Sequence, residues 1–246
     1  MARAQGISWP RIGAESAAIV ASILLAFAID AWWADHQARS EEQRLLTGLL
    51  SEFQRNLDRI EEELNYRNAV IESILEIFDA AAGKISLQPE SVDELIGDLT
   101  WWADSQYSQG ALNELLQSGK LSLIEDNELR ELVASLPFLY SLTIQAESQD
   151  METARNVINP FLSANASLSQ IANTMGSGRP GTGELPTAPV YPQSERQDHS
   201  WLVENREFQG ILIREHWDHL DAISRVHSLQ SELENGVQLI DRNLSP

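Results

Sequence analysis

The densest group of chemically capable side chains is Glu215-His216-Trp217-Asp218-His219. His216 and His219 are three residues apart, so on a helix they share a face and could ligate one ion. The same spacing arises on a hydrated polar face flanking Trp217, and that is the expectation. A di-iron carboxylate bundle would place a Glu three residues before a His. The five histidines have Trp33, Arg196, Ile213, His216 and Ser224 at that position, so no metal and no cofactor are expected. There is no cysteine, no G-x-S-x-G and no phosphate-binding loop, which leaves nucleophilic catalysis without a basis. GSGRPGTG at 176–183 lacks the Lys-Ser/Thr ending and a preceding strand; it reads as a flexible loop. The chain is therefore not expected to be an enzyme. Trp101 and Trp102 are candidate partner contacts, since Trp is enriched at interface hot spots, although core packing is the more ordinary use.

The elements that would position these residues are helical. Leu46, Leu50, Phe53, Leu57, Ile60 and Leu64 repeat at 4,3,4,3,4 spacing, the 3.5-residue seam of coiled-coil-like packing. Arg67 interrupts the seam, Ile71, Ile74 and Phe78 resume it, and Glu61-Glu62-Glu63 reads as a solvated run. Gly83 ends the helix. A second helix is expected after Pro89, with Ser91 as cap and Glu94 completing a capping box. A short helix over Ala111–Ser118 should stop at Gly119, and Asp126 should cap the next, which Pro137 and Pro160 kink or end. Residues 169–200 hold four Pro and four Gly and read as a loop. A last helix over Asn205–Arg242 presents Phe208, Leu212, Trp217, Leu220, Ile223, Val226, Leu229, Leu233, Val237 and Ile240. The expected fold is all-α: a single N-terminal transmembrane helix continuing into an antiparallel bundle of long helices. Its parts are a tail at 1–11, a membrane helix at 12–34, bundle at 35–168, the loop at 169–200 and a closing helix at 201–246.

The membrane helix rests on IGAESAAIVASILLAFAIDAWWA, 23 residues without Lys, Arg, His or Pro. At ~1.5 Å per residue it reaches ~34 Å, enough for a ~30 Å hydrocarbon core. Glu15 and Asp30 bracket an uncharged run of 14 residues, short for a span, so these carboxylates must sit near interfaces or face protein. Trp9 on one side and Trp32 and Trp33 on the other are interface anchors. A cleavable signal peptide would use Arg3 and Arg11, then Ser16–Leu25, then Ala26-Phe27-Ala28; Glu15 at the edge of the apolar run favours an uncleaved signal anchor. Large residues gather on one side of this helix. Ala14, Ala18, Ser22 and Ala26 recur every four residues on the other, with Ala17, Ala21 and Glu15 beside them. Small residues at that spacing admit a neighbouring backbone, so this face is expected to pack against partner helices.

The formal charge of −20 belongs entirely to residues 35–246, because two Arg and two acids cancel within 1–34. Such a surface repels nucleic acid and anionic headgroups, which excludes nucleic-acid binding. Arg3, Arg11 and the α-amine outweigh Arg39 and Arg44 slightly. The positive-inside rule then puts the N-terminus in the cytoplasm and the acidic domain in the periplasm of a bacterial inner membrane.

The anchor ending LLAFAIDAWWADHQ and the later ALNELLQSGKLSLIEDNELRELV resemble a widespread group of uncharacterised bacterial single-pass membrane proteins. The matching mid-chain positions are Leu116, Ser118, Gly119, Leu121, Leu123, Ile124, Asp126, Glu128, Leu129 and Arg130, and the likeness covers roughly residues 10–165. It implies an anchor and a helical domain, with no chemistry attached. The expected function is a non-catalytic accessory subunit of a larger membrane assembly, photosynthetic or respiratory for example, with that assembly's integral subunits and the lipid bilayer as partners. The alternative is a sensory or ligand-binding module. It would need a separate signalling partner, because about eleven residues before the span cannot form an output domain.

Overall fold

The computed structural model describes residues 9–100, 102–174, 191 and 196–244, with side chains from Val20 onward. Among these residues the protein is all-α, without a strand. Helix α1 runs unbroken over Trp9–Ala81 and ends before Gly83, whose φ of 70° only glycine adopts freely. Helices α2 (Pro89–Asp98) and α3 (Gly110–Gln117) follow, then α4 (Asn127–Thr153). A π turn at Ala154–Ile158 leads into α5 (Asn159–Asn165), followed by α6 (Leu168–Thr174) and α7 (Arg206–Leu244).

Three long helices make the body. α7 lies between α1 and α4 and runs antiparallel to both. Gln149 reaches Asp218 at one end of the α4–α7 pair, and Asn243 reaches Asp126 at the other. Phe208, Leu212, Glu215, His219, Ala222, Val226, Leu229, Leu233, Gly236 and Ile240 of α7 are buried as a heptad ladder from end to end, with Leu239 buried beside it. That ladder bypasses Trp217, which is 66% exposed, and Leu220. Buried positions of α1 form a matching ladder: Leu46, Leu49, Phe53, Asn56, Ile60, Glu63, Arg67, Val70, Ile74 and Ile77, with Leu45 and Glu52 buried beside it. Leu50, Leu57 and Leu64 only flank it. Gly236 lets α7 close on α1, since a Cβ there would lie 2.7 Å from the Phe53 ring.

The space between α1 and α4 is filled by an irregular strap, residues 103–109. An extended strap has no ladder partner of its own, and buried backbone groups must be paired. Polar side chains of α1 supply that pairing. Asn56 accepts from Ser108 N (2.9 Å) and donates to Ser108 O (2.8 Å), Arg59 donates to Ser105 O, and Glu52 accepts from Ala111 N and Leu112 N at the start of α3.

Several local expectations change. α2 starts at Pro89 with Gln88 as N-cap and no side-chain cap, so Ser91 and Glu94 form no capping box. The Asp126 cap is present, accepting from Glu128 N and Leu129 N. α4 continues through Pro137, while Pro160 sits in the first turn of α5, where its missing N–H costs nothing. Of the stretch read as loop, 169–174 is helix α6. Tyr191 is tied to Asn173, and Gln197 and His199 are tied to Gln170 and Asp93. No helix among the described residues is long and apolar enough to cross a membrane.

Candidate functional site: a charged layer that divides the core

Two apolar clusters fill the bundle. One gathers Leu45–Ile60, the start of α4 and the second half of α7; the other gathers Tyr66–Ile77, α2 and the beginning of α7. Between them lies a layer of ionisable side chains. Arg67 is fully buried and donates to Glu63 (2.7 Å) and Asp150 (2.5 Å). Its Nη1 also lies 3.3 Å from His219 Nδ1. Glu63 accepts from the Ser105 and Tyr107 hydroxyls of the strap. Glu147 accepts from Ser105 N. Glu215 completes the layer, with Oε2 3.8 Å from His219 Nε2.

Arg67 therefore does not interrupt the seam; it is the centre of the layer. Glu63 belongs to the layer too, and only Glu61 and Glu62 of the acidic run are solvated. The seam positions put these side chains inside, and burial of single charges requires partners. Burial opposes the Arg67 charge, but Asp150 and Glu63 hold its pKa well above the ordinary range. Burial, and then the Asp150 and Asp218 charges, push Glu215 up to about 8. Burial, and then Arg67 and His216, bring His219 down to about 3. Burial likewise raises Asp150, Glu147 and Asp218. Near neutral pH the layer thus holds one guanidinium, a neutral imidazole and a protonated Glu215. Arg67 Nη2 and Glu215 Oε1 are buried without a hydrogen-bond partner.

His216 and His219 do not converge. His219 points into the layer, edge-on to the Tyr66 ring with centroids 6.2 Å apart, while His216 is half-buried beside Trp217. No group of three or more His, Asp or Glu among the described residues has the geometry to hold a metal ion. A second buried network shows a structural use of histidine. Ser167 N donates to His199 Nε2, so Nδ1 carries the hydrogen and donates to Asp93 (2.6 Å). With Nε2 occupied, this Asp-His pair has no free base to offer.

The anchor candidates are all on α1. Ala21, Ser22 and Ala26 are exposed, as are Trp32 and Trp33, and the Trp32 ring stacks on His36 at 5.8 Å. The side chains of Trp9, Ala14, Glu15, Ala17 and Ala18 lie outside the described residues, as does Trp101. Trp102 is half-buried, with the Arg155 guanidinium over its ring at 5.2 Å. The charged layer was not legible as a site. Its one sequence signal is that polar residues at 56, 63, 67, 215 and 219 fall on the same 3-4 spacing as the apolar ones. No family model, curated protein or solved structure matches this chain.

Proposed function

We propose that the protein is a non-catalytic, single-pass accessory subunit that docks through residues 12–34 into a larger membrane assembly of a bacterial inner membrane. The observation that carries this reading is the state of the first half of α1. Residues 20–37 are exposed on every side. Val20, Ile23, Leu24, Leu25, Phe27, Ile29, Trp32 and Trp33 are all large and apolar there. Exposed apolar side chains at this density are ordinarily covered in the working protein. Among the described residues full burial begins at Leu45, and no described element covers the stretch before Asp35; the cover we propose is a neighbouring subunit.

Glu15 and Asp30 favour protein over bare lipid as part of that cover, because each carboxylate needs a donor in an apolar medium. The stripe of Ala14, Ala18, Ser22 and Ala26 is where neighbouring helices approach closely. α1 then passes without a break from anchor to charged layer, which holds the acidic bundle on the far side, in the periplasm by the charge balance of the flanks.

Purification in a mild detergent tests the reading. Co-purification with integral membrane subunits, crosslinked from Ala18 or Ser22, is expected. Migration as a lone monomer overturns the docking, and release from membranes by alkaline carbonate overturns the anchor.

A sensory module acting through a separate partner is the second reading, favoured by the protonatable layer on the anchor helix. It requires the anchor's crosslinks to change between pH 6 and pH 8; unchanged crosslinks remove it.

A further inference from the structure

A groove of about 930 Å³ runs between α4 and α7, lined by residues of these two helices alone. Phe138 and Leu139 form one wall, Leu220 and Ile223 the other, and Ser135 and Ser224 keep the floor shallow. Phe138 is 65% exposed and Leu220 39%. The groove lies on a second ladder of α7. Ile213, Trp217, Leu220, Ser224, His227 and Ser231 follow 4,3,4,3,4 spacing and face away from the core ladder. Ile213 and Trp217 extend the apolar surface beyond the groove. Two parallel seams on one helix are what a helix with neighbours on both sides carries. α1 and α4 occupy the inner seam, and no described element occupies the outer one.

The charges along the groove say what fits it. On α4 the groove stripe continues to Glu131 and Glu128, and on α7 to Glu234; all three are exposed, and Glu232 lines the groove itself. The arginines at this end turn to backbone carbonyls, Arg130 to Ile124 and Arg242 to Gln238. At the other end Arg225 and Arg214 are paired with Asp221 and Asp218. The groove thus has an apolar half formed by Phe138, Leu139, Leu220 and Ile223, a half lined by serines and His227, and acids at one mouth, on a chain of net charge −20. A second copy would bring the same acids to the same mouth, and like charges across an interface oppose association. A basic amphipathic helix meets both features.

We propose that the α4–α7 groove is the docking site for one amphipathic helix of a basic partner protein, apolar at 3-4 spacing and flanked by Lys or Arg. Residues 213–234 of α7 offer it about 30 Å, or roughly 20 residues of helix. The Phe138 and Trp217 side chains are the anchors, since exposed aromatics flanking an apolar groove carry most of such binding energy. This surface belongs to the bundle and is independent of the membrane anchor.

The test uses the full chain in detergent and a synthetic 21-residue helix with Leu at the seam positions and Lys beside them. Saturable one-to-one binding is expected. It should weaken at least tenfold for Phe138→Ser/Leu220→Ser, for which the helical circular dichroism should be unchanged because both side chains are exposed. Leu75→Ser, an exposed apolar position on α1, should bind like the parent. Replacing the peptide's Lys by Glu should also cost at least tenfold. Equal binding of the two peptides, or of the parent and the double variant, overturns the proposal. So does a dimer in sedimentation that Phe138→Ser/Leu220→Ser splits, because the occupant is then a second copy.

Discussion

The charged layer makes a definite statement about stability and pH. Glu215 is raised from 4.5 to about 8. Between those values the folded state holds a proton that the unfolded state has released, so stability falls as pH rises. His219 is lowered from 6.5 to about 3. Over that range the folded state binds fewer protons, so stability rises with pH. Each slope is about 1.4 kcal/mol per pH unit. The two oppose each other between pH 4.5 and 6.5, which gives a broad maximum there. Above pH 6.5 only Glu215 still acts, and stability should drop by about 2 kcal/mol by pH 8. For a domain of this size, about 2 kcal/mol is roughly 4–8 °C in melting temperature. Thermal unfolding of the full chain in detergent, followed by near-ultraviolet circular dichroism from pH 4.5 to 8.5, measures it. Glu215→Gln removes the titrating proton at nearly constant volume. Its melting temperature should stay level from pH 6.5 to 8 while the parent's falls. Parallel curves for parent and variant would refute the reasoning.

Three further outcomes follow from the same packing. Arg67→Ala leaves Glu63 and Asp150 buried without a counter-charge and should cost about 3–5 kcal/mol in denaturant unfolding. Gly236→Ala puts a methyl group 2.7 Å from the Phe53 ring and should cost about 1–3 kcal/mol, much of it recovered by adding Phe53→Leu. Asp126→Ala removes the α4 cap that accepts from Glu128 N and Leu129 N. A loss of about 1 kcal/mol is expected, together with faster amide exchange in the first turn of α4.

The helices of the body could be read because their apolar residues repeat at the period of the structure they form. Leu46, Phe53, Ile60 and Ile74 are seam positions in the sequence and core positions in the protein. Hydrophobicity is not the only mark of burial in this chain. The apolar repeat favours Leu50, Leu57 and Leu64, yet Leu49, Asn56 and Glu63 lie deeper. On α7 the same preference chose Trp217 and Leu220, although Glu215 and His219 hold the inward positions. A wide apolar stripe fixes the face of a helix only to within one residue, and a polar residue inside that stripe looks like an interruption.

By itself, then, the sequence determined the helical class, the long first and last helices, the stops at Gly83 and Gly119 and the cap at Asp126. All of these depend on neighbours within a few positions along one chain. Only the tertiary structure decided that Arg67 is the buried centre of a charged layer and that α1 lends its polar side chains to the 103–109 strap. It also decided that α7 carries a second, uncovered seam. Each of these depends on which groups from distant segments arrive at the same place. Burial raises the energy of a charge or an unpaired peptide group enough that its partner has to be there, and α4, α7 and the strap supply those partners across 40 or more positions of chain.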